Sequence, residues 1–251
     1  MINPLDLSGK QILVAGATSD IGISIITQLL GLGAKVVIVD VSEEGLLIIQ
    51  KKLDCELLDI YAFNIYVNSD IEKNFKALKS EFGVFDGFVY CGGIGGVRPL
   101  SFTKYEFIHE MMNANLYSFI EMTRCITKKN SFSKEGSIVA ISSVSSLKGL
   151  KSKTAYCASK AALDSTVRSL AAELSDKKIR VNSILKGWVT SDMNLDFIKS
   201  NMDLSQNSDF QKQLLGAIDP IEIANTVAFL LSDATISITG TSMIVDGGYS
   251  I

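Results

Sequence analysis

Tyr156 and Lys160 stand four residues apart in the stretch AYCASKAALDSTVRSLAAEL. In a helix that spacing puts a phenol and an ammonium on one face. A free phenol titrates near ~10, too high for a base at neutral pH, and a cation beside it lowers that value by ~1–3. The pair thus suits proton transfer to or from an oxygen. An incidental pair on a solvated helix face would show the same spacing. Ser143 lies 13 residues before Tyr156, just past an apolar run. A hydroxyl placed there can hydrogen-bond a reacting oxygen as its charge changes. Ser142, Ser145 and Ser146 are rivals for that role.

A second group lies near the start of the chain. The apolar run 12–15 leads into Gly16-Ala17-Thr18-Ser19-Asp20-Ile21-Gly22, and a helical stretch follows. Glycine lets the chain turn tightly and lets backbone N–H groups approach a phosphate, to which the helix N-terminus adds its partial positive charge. Asp20 is expected to cap the helix and to point outward, because an inward carboxylate would repel the phosphate. Asp40 ends the next apolar run, 18 residues after Gly22. That is near the spacing at which an acid accepts hydrogen bonds from an adenosine ribose. A 2′-phosphate would meet this carboxylate, and Val41 and Ser42 offer no cation to offset it. NAD is therefore favoured over NADP. Read singly, the glycines are a plain turn and Asp40 a strand-end polar residue; the ordered strand, turn, helix, strand and acid carry the stronger reading.

These groups need a scaffold that brings residues 16, 143 and 156 together. Short apolar runs at 12–15, 35–40, 56–63, 85–91, 137–142, 180–185 and 242–245 alternate with helical stretches near 20–31, 43–53, 69–81, 103–129, 154–176 and 220–231. Runs such as VVIV and SIVAI indicate strands buried on both faces. The alternation predicts an α/β, Rossmann-type doubly wound parallel sheet of about seven strands with helices on both faces. Only Pro4, Pro99 and Pro220 occur, no linker divides the chain, and one domain over 1–251 is expected. The polar, weakly periodic segment 191–216 breaks the rhythm and reads as a substrate-loop insertion. It and 145–153 are expected to line the substrate mouth. Lys148, Lys151 and Lys153 there would favour an anionic substrate, or simply solvate a loop. Leu195, Phe197, Ile198 and Met202 could turn inward from the insertion.

Composition narrows the class. The 251 residues are 47% hydrophobic and 20% charged, enough to bury a large core. Lys+Arg 24 against Asp+Glu 27 leaves net charge -3, so no basic field exists for a nucleic-acid partner. Cys55, Cys91, Cys125 and Cys157 form no C-x-x-C pair and His109 is the only histidine. No metal site is expected, and the thiols fit a reducing cytoplasm. Residues 1–10 lack the apolar stretch of a signal peptide. The longest uncharged run, 21–34, falls short of the ~18 residues of a membrane span.

In order along the chain, these segments resemble the short-chain dehydrogenases/reductases. Gly16, Asp20 and Gly22 are similar to the family's cofactor turn, and Gly136-Ser137-Ile138-Val139-Ala140-Ile141-Ser142-Ser143 to its active-site serine strand. Tyr156-Cys157-Ala158-Ser159-Lys160 resembles its catalytic Tyr-x-x-x-Lys. Ile179-Arg180-Val181-Asn182 and Gly187-Trp188-Val189-Thr190-Ser191-Asp192-Met193 resemble the segment at the nicotinamide end. Val245-Asp246-Gly247-Gly248 resembles the C-terminal strand and turn.

The resemblance implies roles. Tyr156 would be the general acid/base on a secondary alcohol or ketone, and Lys160 would lower its pKa and hold the nicotinamide ribose. Ser143 would orient the substrate oxygen, and Asn115 would kink a helix and anchor a proton-relay water. Implied cofactor contacts are Gly16, Thr18, Ser19, Asp20, Ile21 and Gly22 in the turn, Asp40, Asn64 and Ile65 after the next strands, and Cys91, Gly92 and Gly93. Tyr156, Lys160, Gly187, Val189 and Ser191 complete them, with Val189 and Ser191 on the carboxamide. A homotetramer or dimer is implied, with a small-molecule substrate. Three departures stand out. Tyr90-Cys91-Gly92-Gly93 replaces Asn-Asn-Ala-Gly, so sheet-centre hydrogen bonds must be made differently. Asn64 replaces an Asp that reaches the adenine amine, though its amide oxygen could still accept. Lys186 replaces the proline before Gly187, which should loosen that turn. The leading expectation is an NAD-dependent oxidoreductase. A 3-oxoacyl-acyl-carrier-protein reductase using NADPH and a non-catalytic dinucleotide-binding regulator are its alternatives.

Overall fold

The computed structural model describes residues 3–190 and 212–251. Seven strands form one sheet: β1 (Gln11–Ala15), β2 (Lys35–Asp40), β3 (Leu58–Ala62), β4 (Phe85–Tyr90), β5 (Phe132–Ser143), β6 (Arg180–Lys186) and β7 (Ser242–Val245). Their order is β3-β2-β1-β4-β5-β6-β7, and every pairing is parallel. The helices are α1 (Asp20–Gly31), α2 (Glu43–Leu53), α3 (Asn68–Phe82), α4 (Tyr105–Met112), α5 (Ser118–Ile126), α6 (Thr154–Glu173) and α7 (Pro220–Leu231). This is the doubly wound α/β arrangement that the alternating runs predict.

The two-residue period of the strands divides the core into two layers. Ile12, Val14, Val36 and Ile38 face one layer, where they meet Ile25 and Leu29 of α1, Ile49 of α2 and Val227 of α7. Leu13, Ala15, Val37 and Val39 face the other, against Phe75 of α3, Phe119 of α5 and Val167 of α6. Both faces of β1 and β2 are thus buried, which explains their unbroken apolar runs. Each such Val, Leu or Ile is stabilising by ~1.5–3 kcal/mol relative to an exposed position. The turn into α7 is set locally: Asp219 and Glu222 form a capping box, with Pro220 in the first turn.

Three elements differ from the sequence expectation. The helical stretch 103–129 is two helices, α4 and α5, joined by a π-helical turn at Asn113–Tyr117. A periodicity of 3.6 cannot show one wider turn, because the same face stays buried on either side of it. β5 starts earlier than the apolar run, at Phe132, with a register shift between Phe85 and Gly87 on its partner. β6 runs on through Lys186, which pairs with Ser143 and with Val245, while Gly187 N–H donates to Val245 O at 2.9 Å. The expectation of a loosened turn at Lys186 is therefore corrected: strand pairing on both sides holds its backbone.

The sheet order reverses at β1, between β2 and β4. Open α/β sheets bind ligands at this switch point, beyond the strands' C-terminal ends. Here Tyr90 supplies the connection expected to be made differently. Its buried hydroxyl donates to Ala114 O at 2.6 Å, linking the end of β4 to the π-helical turn. Gly92 leaves room for that ring, since a Cβ there would lie 2.8 Å from it.

Candidate active site

A cavity of about 580 Å³ opens above the C-terminal ends of β1, β4, β5 and β6. One wall is Thr18, Ser19, Asp20 and Ile21, and a second is the glycine-rich segment Cys91–Val97. Ser143, Tyr156, Lys160, Lys186, Gly187 and Val189 lie at the other end, with Trp188 and Tyr249.

The glycine turn is built as a unit. Gly16 has φ +76°, and a Cβ on it would lie 2.4 Å from Gly92 N. Gly22 likewise fits against Ala17 O, where a Cβ would lie at 2.5 Å. Asp20 does not cap α1, which corrects that expectation: Ser19 is the cap, with extended backbone and its Oγ accepting from Gly22 N–H at 3.1 Å. Asp20 then occupies the first turn, where the helix dipole favours its charge, and it lines the cavity rather than facing away.

Asp40 is buried and holds this turn. Its Oδ2 accepts from Thr18 N–H at 3.0 Å and Thr18 Oγ1 at 2.8 Å, and its Oδ1 accepts from Val41 N–H at 2.7 Å. It does not line the cavity; one lone pair of Oδ1 remains after these three bonds. Asn64 is exposed, and its amide oxygen already accepts from Tyr66 N–H at 2.9 Å, closing a turn rather than standing free. That turn places Tyr66, whose hydroxyl accepts from Gly93 N–H at 3.2 Å. Ile65 is fully buried in the core beside Phe63 and Ile71, away from the cavity. Ser191 lies outside the described residues, as does most of the insertion expected at 191–216.

At the other end the structure separates the competing serines. Ser143 and Ser145 line the cavity, with their hydroxyls 3.1 Å apart, whereas Ser142 and Ser146 do not reach it. Tyr156 and Lys160 project from α6 into the same space. Asn115, in the π-helical turn, is fully buried. Its Oδ1 accepts from Ile94 N–H at 2.9 Å, and its Nδ2 donates to Ile94 O at 3.1 Å and Ser159 Oγ at 2.9 Å. Asn115 thereby ties the wall at Ile94 to α6, three residues beyond Tyr156.

Burial dominates the electrostatics here. Burial pushes the Tyr156 phenol up, and the hydrogen bond of Ser143 offsets only part of that. The Lys160 ammonium donates to Ile141 O at 2.9 Å and lies 6.0 Å from the phenol ring centroid. Burial, followed by the Lys186 charge, pulls Lys160 itself down to about 8. Desolvation disfavours phenolate and ammonium alike.

Sequence reasoning missed three contributors. Gln213 brackets Trp188, accepting from its N–H at 2.9 Å and donating to its O at 3.0 Å. The Gly95-Gly96 pair after β4 was the available signal for the second wall. Lys186 was read for its backbone alone, yet its side chain enters the cavity. Burial, then Lys153, brings this ammonium down to about 8. A lysine whose folded value is depressed destabilises the fold while both states are protonated, and that penalty fades as pH rises from the folded to the unfolded value. Lys186→Met should therefore raise the apoprotein's Tm at pH 7, with the gain shrinking between pH 8 and about 10.4, the ordinary lysine value. Tm differences at pH 7 and pH 10 check this; a pH-independent difference would contradict it.

The parallel sheet, the glycine turn at its switch point and the Ser143, Tyr156, Lys160 group define a dinucleotide-binding oxidoreductase. Residues 16–250 match the family model described as enoyl-(acyl carrier protein) reductase. The chain is 33% identical to L-xylulose reductase of Caenorhabditis elegans, over 98% of this chain and 97% of that one. It is 31% identical to the 3-oxoacyl-(acyl-carrier-protein) reductase of Vibrio cholerae, over 97% and 98% of the two chains. Among solved structures, a short-chain glucose/ribitol dehydrogenase from Brucella melitensis superposes with TM-score 0.89 at 26% identity, covering 98% of each chain. The chain belongs to the short-chain dehydrogenase/reductase family, whose members bind nicotinamide dinucleotides and act on CH–OH or carbonyl groups. Among the described residues no helix is long and apolar enough to cross a membrane.

Proposed function

We propose that this protein transfers hydride between NAD(H) and a small secondary alcohol or ketone, with Tyr156 as general acid/base. The observation that carries the reading is that Ser143, Tyr156 and Lys160 share one cavity with the N-terminus of α1. A dinucleotide needs both ends: helix N–H groups for the pyrophosphate and a shielded pocket for the reacting ring. The cavity lining supplies both, so the residues fit the cofactor. Thr18, Ser19, Asp20 and Ile21 would hold the phosphates, Gly92 and Gly93 would leave room for the adenosine side, and Gly187 and Val189 would face the carboxamide.

When bound, the nicotinamide exchanges hydride with the substrate carbon. The protein handles the proton. Tyr156 gives its phenolic proton to the carbonyl oxygen, or takes it back in the oxidative direction. Ser143 donates a hydrogen bond to the same oxygen, and Lys160 would hold the ribose. Asn115 itself acts by positioning α6 and the wall at Ile94. Removing one such donor typically costs about 10²–10³ in kcat. Ser143→Ala should lose that much turnover with cofactor affinity unchanged; steady-state kinetics beside a cofactor titration check it, and near-normal kcat would refute the role.

The preference for NAD rests on Asp40. Its carboxylate is fixed by three hydrogen bonds and has no ion-pair partner among the described residues. A 2′-phosphate brought to this edge would meet a buried, uncompensated negative charge. The second reading, a 3-oxoacyl-acyl-carrier-protein reductase using NADPH, is favoured by the relatives that bear that name. We take 1–251 as one catalytic domain, cytoplasmic by its four free cysteines. A homotetramer or dimer is supported by the exposed Phe102, Tyr105, Ile108, Tyr117 and Ile120 on and around α4 and α5.

A further inference from the structure

Lys186 has no task in this scheme. Strand pairing puts it directly beside Ser143, so the two side chains leave the sheet on the same face. Neighbouring strands lie ~4.8 Å apart, which leaves a four-carbon stem free to bring its ammonium over the oxygen that Ser143 holds. The Lys186 ammonium has neither a hydrogen-bond nor an ion-pair partner among the described residues.

Lys153 stands on the same cavity, its ammonium 5.1 Å from the Trp188 ring centroid. The Lys153 charge bears on Lys186, and the Lys186 charge bears on Lys160. Against these three cations the described cavity lining offers one carboxylate, Asp20, at the glycine-turn end. Lys160 is committed to Ile141 O. The other lysines of the 145–153 segment do not contribute. Lys148 donates to Tyr249 O at 2.6 Å and lies over its ring, and Lys151 is exposed and off the cavity. Lys160 also feels the buried Asp164 carboxylate behind the cavity, whereas Lys186 feels no carboxylate. Gathering partly buried ammoniums in this way is costly, and an anion entering beside Lys186 and Lys153 would relieve both the desolvation and the mutual repulsion. Lys186 stays mainly protonated at neutral pH, so the charge is available.

We propose that Lys186 and Lys153 form an anion-binding subsite beside the reacting carbon, and that the substrate carries a carboxylate or phosphate group within a few bonds of its carbonyl. This rests on the catalytic reading of Ser143, Tyr156 and Lys160. Two measurements test it separately from that reading. In the first, the apoprotein is titrated with malonate and with inorganic phosphate while emission of Trp188, the chain's single tryptophan, is followed. The expected result is a saturable change in the wild type and in Tyr156→Phe, with affinity at least tenfold weaker in Lys186→Met and in Lys153→Met. Lys151→Met should titrate like the wild type. The stronger of the two anions identifies the group.

In the second, kcat/KM is compared for acetoacetate and its methyl ester. The anion-to-ester ratio should fall at least tenfold in Lys186→Met and stay unchanged in Lys151→Met. Absence of anion binding in the wild type, or equal affinities in wild type and both cavity variants, would overturn the subsite; so would an unchanged ratio in Lys186→Met. If Tyr156→Phe keeps full turnover while Lys186→Met loses the anion, the catalytic reading fails and the subsite stands. Circular dichroism confirms that each variant is folded.

Discussion

Tyr156→Phe should cut turnover by about 10²–10⁴-fold, the usual worth of a positioned general acid or base. Cofactor affinity should stay within about threefold of wild type, because the change removes one hydroxyl and keeps the ring in place. The prediction is demanding in this structure. Burial raises the phenol's pKa, so Tyr156 waits in the protonated form, suited to donate to a carbonyl oxygen. In the oxidative direction it must lose that proton, which requires positive charge from Lys160 and from the oxidised ring. Turnover of Tyr156→Phe within a few-fold of wild type would remove Tyr156 from the mechanism. It would also favour a dinucleotide-binding regulator, which has no use for the hydroxyl.

Gly16→Ala should damage the fold and the cofactor site together. A left-handed φ costs a non-glycine residue ~1–3 kcal/mol. The new methyl would also lie 2.4 Å from Gly92 N and 2.7 Å from Cys91 C, both backbone atoms that cannot swing aside. Overpacking of that kind costs a further ~1–3 kcal/mol. For a chain of this length each kcal/mol is worth ~2–4 °C in Tm, so a fall of about 5–20 °C is expected. NADH binding should be lost, because the two walls of the cavity meet at this contact. Gly95→Ala is the control, since no atom lies within 4 Å of the added Cβ. Equal melting temperatures for the two variants would show that the turn does not depend on this approach.

The parts legible in the sequence were those whose signal is periodic or conformational. VVIV indicates a strand buried on both faces, and its alternate side chains do divide between the two core layers. Gly16 was legible because only glycine accepts its backbone, and Tyr156 with Lys160 because a helix fixes what four residues apart means. The rest depends on side-chain choices that pattern does not constrain. Ser19 and Asp20 are both good caps, and the chain uses the first. Lys160 could have turned toward Tyr156, but its ammonium donates to Ile141 O instead. The π-helical turn hides inside a continuous apolar stripe. Lys186 looked like a missing proline until strand pairing set it beside Ser143. In each case a tertiary neighbour decides among locally equivalent options.

The most direct test of the account is a paired titration with NADH and NADPH, following Trp188 in the cavity wall. The account predicts saturable quenching by NADH and at least tenfold weaker binding of NADPH, because Asp40 closes the ribose edge to a 2′-phosphate. NADPH binding as tight as or tighter than NADH would contradict the role of Asp40 and move the acyl-carrier-protein reductase reading to first place.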